Sequence, residues 1–406
     1  MAQFSVPSSL LQSALNTQEQ LMEKPSRQGD LFIGLPKEEM FQENRIALTP
    51  RAVQILASQG HRILLETGAG DKSQFTDHEY SEAGAEIVFT REAVFKANII
   101  LKAAPPSLEE IELCQPNQIL ISPIHLPTLT EEYLYRLKTK RVIAMAMEYI
   151  KDTAGAFPFV RIMSELAGIS AMQTAAELLS LAGGGRGVLL GGISGVPPAK
   201  VVILGAGVVA EYAARAALGF GAEVRVFDDN VRKLMRLQHN LGTRLFTSVF
   251  DPIVLQQELH NADVAIGAIH SPTGRTPMIV SEQMVESMKR GAVVIDVSID
   301  QGGCFATSRL TTSDKPTFRA YDVIHYCVPN IASRVPRTGS TAFSNIITPL
   351  IQRASETGGF ERLIQDSPGL QNGVYIYKNC LTNEYMSRRF GMKHTDINLL
   401  LSTSNF

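Results

Sequence analysis

The stretch KVVILGAGVVAEYAARAALG (200–219) constrains the fold more than any other part of the chain. An apolar run ends at Gly205-Ala206-Gly207, and a segment of helical composition starts at once through Val208, Val209 and Ala210. Glycines are needed in such a turn because it is tight, and because a pyrophosphate must reach the backbone and the helix N-terminus with no Cβ in the way. The next apolar run, EVRVFDD (223–229), carries Asp228, 23 positions beyond Gly205, about where an acid meets the adenosine ribose hydroxyls. Strand, G-x-G-x-x-A turn, helix, strand and acid in that order predict a dinucleotide-binding unit. The acid favours NAD, since a 2′-phosphate would meet its charge and that of Asp229. Arg232 and Lys233 follow closely and keep NADP open.

The same alternation runs through most of the chain. Before the glycine turn, strand candidates lie at 31–36, 61–67, 85–90, 98–103, 118–125 and 141–148. Helix-like stretches separate them, such as TPRAVQILASQG with Thr49 as N-cap, Pro50 at the first helical position and Gly60 just past the end. After the small-residue stretch SELAGISAMQTAAELL a second series begins, with strands expected at 200–206, 223–229, 263–270, 292–300 and 319–328. Strand, helix, strand at this spacing predicts parallel sheets covered on both faces. The expectation is an α/β chain of two doubly wound parallel-sheet (Rossmann-like) domains with the cleft between them. Residues 1–30 read as a polar N-terminal extension, 31–158 and 337–406 as the substrate (catalytic) domain, and 159–336 as the NAD-binding Rossmann domain. The last seventy residues are mostly helical in pattern and too few for a third α/β unit, so they are expected to return to the first.

At 406 residues and 45% apolar, the chain can bury two cores. A net charge of −2 with no like-charge run gives no field for nucleic acid and no polybasic membrane patch. Cys114, Cys304, Cys327 and Cys380 lack metal-site spacing, so no metal site and no disulfide framework is expected. With no basic n-region at the start and no stretch of membrane-spanning length, the expectation is a soluble cytoplasmic protein acting on a small molecule.

In sheets of this type ligands sit outside the carboxyl ends of the strands. Four polar residues are expected there: Arg45 in KEEMFQENR, Lys102 in IILKAAPP, His125 in SPIHLP and Asp300 in VSIDQGGC. Each has a plainer reading. Arg45 follows Glu38, Glu39 and Glu43 and could pair with them. Lys102 could extend its ammonium to water. His125, between Pro123 and Pro127, could be a structural imidazole, and Asp300 could organise a turn. As a set they are a cation for a carboxylate, an imidazole that titrates near neutrality, and an acid. That set suits a dehydrogenase of a small carboxylic acid, with the guanidinium on the carboxylate and the imidazole moving a proton while a nicotinamide takes hydride.

The segments IGLPKEEMFQENRIALTP, GHRILLETGAGDKSQFTD, MSELAG, GGRGVLLGG, GAG and VVIDVSIDQGGCF with SRLTT resemble the alanine dehydrogenase family. Relatives of that family include the NAD-binding subunit of proton-translocating transhydrogenase. The resemblance runs from about residue 31 to about residue 400. It implies Arg45 as the substrate-carboxylate arginine, His125 as the catalytic histidine, and Asp300 as the aspartate that helps activate water or ammonia. It places Ser164, Gly205, Gly207, Asp228, Lys233 and Asn330 in segments that embrace the nucleotide. The implied reaction is NAD-dependent oxidative deamination of L-alanine to pyruvate and ammonia, reversibly, by a homo-oligomer, expected to be a homohexamer.

One departure stands out. In the family the strand usually ends in K-x-K-E-P, and the second lysine grips the substrate. Here the run is Lys102-Ala103-Ala104-Pro105, so the site position is Ala104. Residues two apart share a strand face, roughly 6–7 Å from each other. Lys102 is therefore expected to supply the missing cation; the alternative is that it keeps an ordinary role and the site lacks that charge. Two other functions remain open on this departure: a transhydrogenase-type hydride-transfer subunit with a membrane partner, and a non-catalytic NAD-binding relative.

Overall fold

The computed structural model describes residues 30–403 except 272 and 273. The expected extension at 1–30 lies almost wholly outside the described residues. The first unit contains β1 (Phe32–Leu35), β2 (Arg62–Glu66), β3 (Glu86–Val88), β4 (Ile99–Leu101), β5 (Ile119–Ser122) and β6 (Ile143–Ala146). The second contains β7 (Lys200–Leu204), β8 (Glu223–Phe227), β9 (Phe246–Ser248), β10 (Val264–Gly267), β11 (Val293–Asp296), β12 (Thr317–Ala320) and β13 (Val323–Tyr326). The chain then returns, adding β14 (Val374–Tyr377) and β15 (Cys380–Leu381) to the first sheet.

The two sheets run β15-β14-β6-β5-β4-β1-β2-β3 and β12-β13-β11-β10-β7-β8-β9. Strands β1 to β6 pair in parallel, as do β7 to β11 with β13. Three strands depart from the all-parallel expectation: β12, β14 and β15 pair antiparallel at the sheet margins. The run expected as one strand at 319–328 lies instead across β12 and β13, which turn through Tyr321 (φ 52°) and Asp322 (φ 59°). Two adjacent residues at positive φ make the tight turn whose twist matches paired strands.

Burial on both faces explains the apolar runs. Along the first sheet Ile33, Leu35, Ile63, Leu65, Ile99, Leu101, Ile119 and Ile121 enter one core. Their alternates Ile100, Leu120 and Ala144 enter the other. The second sheet divides in the same way, with Val201, Ile203, Val264 and Ile266 opposite Val202, Leu204, Ala265 and Val294.

Two long helices join the units, Pro158–Leu179 on the way out and Pro336–Glu356 on the way back. The first lies directly against the helix Val208–Gly219, and Gly168 makes that approach possible. A Cβ at Gly168 would stand 2.4 Å from the Val209 carbonyl oxygen. Among the described residues no helix is long and apolar enough to cross a membrane. Strand order reverses between β1 and β4 in one sheet and between β7 and β10 in the other, and these are the positions where crevices open at the carboxyl ends.

Candidate active site

Arg45 lies in the segment after β1 and is only 6% exposed. Its Nε donates to Glu43 Oε1 at 2.7 Å and its Nη2 to Glu43 Oε2 at 2.5 Å, a side-on bidentate pair. Nη2 also donates to Asn330 Oδ1 at 2.9 Å, and Nη1 meets the Met163 sulfur at the start of the long outgoing helix. Burial alone would drain the guanidinium's charge, but Glu43 reverses this and holds its pKa above the ordinary value. Of Glu38, Glu39 and Glu43, the glutamates that precede Arg45 in sequence, Glu43 is the one that pairs with it, joined by a residue of the second unit.

Asn330 is the hub of this arrangement. It follows β13 in a left-handed conformation (φ 54°), which asparagine tolerates better than most residues. Its amide nitrogen Nδ2 donates to Glu43 Oε2 at 2.9 Å, and its main-chain N–H donates to Asp300 Oδ1 at 2.9 Å. One residue therefore touches Arg45, Glu43 and Asp300. Burial pushes the Asp300 carboxyl up to about 6, against the Asn330 N–H and the Arg45 charge. The segment ahead of Arg45 is strapped down further, since Ser313 N and Oγ both donate to Gln42 Oε1 at 2.8 Å and Asn44 N donates to Ser333 Oγ at 2.8 Å.

Asp300 sits in a 3-10 turn (Val297–Gln301) at the end of β11. Buried Asp296 fixes that turn by accepting from Ser298 N, Cys304 N and Ser308 Oγ at 3.1, 3.0 and 2.6 Å. His125, half-buried after β5, packs its ring on Phe41 with centroids 4.9 Å apart. Its Nδ1 is 2.9 Å from Thr128 Oγ1. Burial lowers its pKa, while the Asp300 main chain beside the ring opposes that shift. His125, Asp300, Asn330 and Arg45 thus form one continuous group. Glu148, pushed up to about 8 by burial, anchors the residue before the histidine, because both its oxygens accept from Ile124 N at 2.8 and 3.0 Å. Phe41 (φ 55°) and Gln42 (φ 51°) are held left-handed here, a conformation that costs of order 1 kcal/mol for a bulky residue.

Lys102 is placed differently from the expectation that it replaces the missing cation. It has no exposed surface, and its Nζ lies 2.9 Å from both Glu38 Oε2 and Glu110 Oε1. Those two carboxylates overcome desolvation and raise its pKa. Glu38 also accepts from Ala103 N at 2.5 Å, so the ion group locks the end of β4 to the loop after β1. A lysine so enclosed has no face to offer a ligand. Ala104 is itself 2% exposed.

On the second unit, Gly205 has φ 108°, and a Cβ there would stand 2.4 Å from the Ala268 carbonyl oxygen. A Cβ at Gly207 would meet nothing within 4 Å. That space lies at the start of the helix Val208–Gly219, whose first N–H groups have no side-chain cap. The arrangement can accept a phosphate. Asp228 is 8% exposed and braces the same turn, accepting from Ala206 N through Oδ2 and from Asn230 N through Oδ1, both at 2.8 Å. Lys233 Nζ stands 3.8 Å from Asp228 Oδ2. Ser164 is half-buried beside Met163, the residue that reaches Arg45.

A glycine turn on one unit and a cation, an imidazole and a carboxylate gathered from both define a two-domain α/β oxidoreductase. The chain belongs to the alanine dehydrogenase/PNT family, whose N-terminal domain matches residues 34–167 and whose C-terminal domain matches residues 171–384. It is 38% identical over 370 residues to an alanine dehydrogenase of Methanococcus maripaludis, covering 90% of this chain and 98% of that one. It is 37% identical to an alanine dehydrogenase of Staphylococcus saprophyticus, covering 90% and 99%. Among solved structures an L-alanine dehydrogenase superposes with TM-score 0.82 at 35% identity over 88% of this chain and 99% of the other. A transhydrogenase from Sinorhizobium meliloti shares the fold, with TM-score 0.73 at 23% identity over 87% and 99%.

Proposed function

We propose that this chain is an NAD-dependent L-alanine dehydrogenase, interconverting L-alanine, NAD⁺ and water with pyruvate, ammonium, NADH and a proton. The observation that carries the reading is the continuous group His125–Asp300–Asn330–Arg45, which joins an imidazole, a carboxylate and a guanidinium across two units. NAD fits the residues present: Gly205 and Gly207 leave room beside uncapped N–H groups, and each Asp228 oxygen keeps a lone pair for a ribose hydroxyl. Ser164, Lys233 and Asn330 complete its surroundings in this reading. When bound, NAD supplies the hydride acceptor.

The chain's own residues do the rest. Arg45 holds the substrate carboxylate through Nη1, the end of its guanidinium that Glu43 does not occupy and that the Met163 sulfur would have to share. Asp300, with a pKa of about 6, is ionised at neutral pH and orients the water that adds at the imine carbon, or the ammonia that adds at the pyruvate carbonyl carbon in the reverse direction. His125 gives and takes the proton on the departing or arriving nitrogen and oxygen. Lys102 holds the strand end rather than the substrate, so Arg45 grips the carboxylate without a second lysine. A homohexamer in the cytoplasm belongs to the same reading. Self-association is supported by the exposed apolar side chains Leu181, Leu189, Ile193 and Val196.

The test is steady-state NADH oxidation by the purified protein with pyruvate and ammonia. Turnover that needs both substrates supports the reading. NADH binding without turnover would favour a non-catalytic relative.

A further inference from the structure

We propose that Thr128 is a positioning residue for His125, holding the ring through Nδ1 so that Nε2 is the nitrogen presented to the reaction. The proposal rests on the reading of His125 as the proton-transfer group. After His125 the chain makes one 3-10 turn (Leu126–Thr128), with Pro127 inside it. This brings residue 128 back over residue 125, and Thr128 N donates to the His125 carbonyl at 3.1 Å. The hydroxyl then makes two contacts, 2.9 Å to His125 Nδ1 and 3.3 Å to the His125 carbonyl oxygen.

A threonine hydroxyl carries one proton, and a carbonyl oxygen can only accept. Both contacts are hydrogen bonds at once when Thr128 Oγ1 donates to the carbonyl and accepts from Nδ1–H. The other ring nitrogen is set by the bond the first one makes. With Nδ1–H engaged, a neutral ring keeps its lone pair on Nε2. When the ring takes a proton, Thr128 Oγ1 still accepts from Nδ1–H, and the Asp300 main chain lies beside the ring. The set of acceptors therefore suits the imidazolium, and Thr128 offsets part of the burial around the ring. The segments packed about the ring bring the charged groups Asp300, Glu148, Glu39, Glu43 and Arg45. Of these, Glu148 reaches the loop through Ile124 N and Asp300 through its main chain, so neither replaces a partner at Nδ1.

Thr128 is exposed, so Thr128→Val removes the hydroxyl with little cost to the fold. Relative to the parent, Thr128→Val should lower kcat about tenfold, the size of one lost orienting hydrogen bond, with the KM for pyruvate changed less than about twofold. The limb of its pH profile set by His125 should move to lower pH. Thr128→Ser should restore both kcat and the limb. A readout independent of turnover is the pH midpoint for diethylpyrocarbonate modification of His125, followed by mass spectrometry; it should fall in Thr128→Val and recover in Thr128→Ser. A Thr128→Val protein with parental kcat, limb and modification midpoint overturns the proposal, as does a serine variant that fails to recover. Retained turnover in His125→Ala would instead overturn the assignment of the histidine on which the proposal stands.

Discussion

Arg45 Nη2 and Asn330 Oδ1, 285 residues apart in sequence, are hydrogen-bonded at 2.9 Å between the segment after β1 and the end of β13. This bond makes Arg45, the proposed substrate cation, sensitive to the unit that carries Asp300. Arg45→Lys keeps a charge but cannot pair side-on with Glu43 while also reaching Asn330. Its kcat/KM for pyruvate should fall by about 100-fold or more, the usual scale for a lost buried charge contact of 3 kcal/mol or above. The comparison is steady-state kinetics of the two proteins at saturating ammonia and NADH. A loss under threefold would leave Arg45 as a structural partner of Glu43 alone.

Lys102 separates stability from binding. Replacing it by methionine leaves Glu38 and Glu110 facing each other in the interior, a change that typically costs about 3–5 kcal/mol. Urea unfolding of Lys102→Met should show that loss. Burial already pushes Glu38 up to about 7, and removing the ammonium should push it higher, so the variant should recover part of its stability as the pH falls below 7. A variant as stable as the parent but with weakened pyruvate affinity would return Lys102 to the substrate.

Asp300 gives a pH dependence of definite sign. Its folded pKa of about 6 lies above the ordinary aspartate value of 3.8. A group raised on folding contributes stability that is full below about pH 4 and is lost as pH rises through about 6. Asp300→Asn should therefore melt higher than the parent at pH 8, with the gap closing by pH 4.5, while turnover collapses. The parent's own activity should rise with pH through about 6 as the carboxylate forms. Equal melting differences at both pH values would show that Asp300 is not raised in the folded protein.

Much of the fold was legible because it is local. The glycine turn, Thr49 as an N-cap and the alternating apolar faces all depend on neighbours a few residues away, and the helix Pro50–Ser58 starts where the cap predicts. What was hidden depends on partners far along the chain. Nothing near Lys102 announces Glu38, 64 positions before it, so the two-residue spacing to Ala104 is visible in the sequence while the ion group that consumes the ammonium is not. Glu43 was visible two residues before Arg45, but its side-on grip needs the backbone bend at Phe41 and Gln42. Asn330 was placed with the nucleotide by resemblance alone; its contact with Arg45 needs both units assembled. The H-x-x-T spacing of His125 and Thr128 is a local signal in the sequence. The hairpin of β12 and β13 has none, because Tyr321-Asp322 lacks the glycine that usually marks such a turn.

Asp228 offers the last prediction. Its carboxylate braces the glycine turn through Ala206 N and Asn230 N, so a substitution there alters both the proposed ribose site and the turn. The two effects separate by cofactor. Loosening the turn weakens NAD and NADP alike, since both place a pyrophosphate there. Losing an acceptor for the ribose hydroxyls weakens NAD alone, and losing the negative charge favours the 2′-phosphate, which Lys233, 3.8 Å from Asp228, would then be free to meet. Asp228→Ser keeps an oxygen near the turn while removing the charge. Fluorescence titration should show NADH binding weakened about tenfold or more, a lost charge-assisted bond of roughly 1.5–3 kcal/mol, with NADPH binding unchanged or tighter. Equal weakening of the two cofactors would assign Asp228 to the turn and remove it from the ribose.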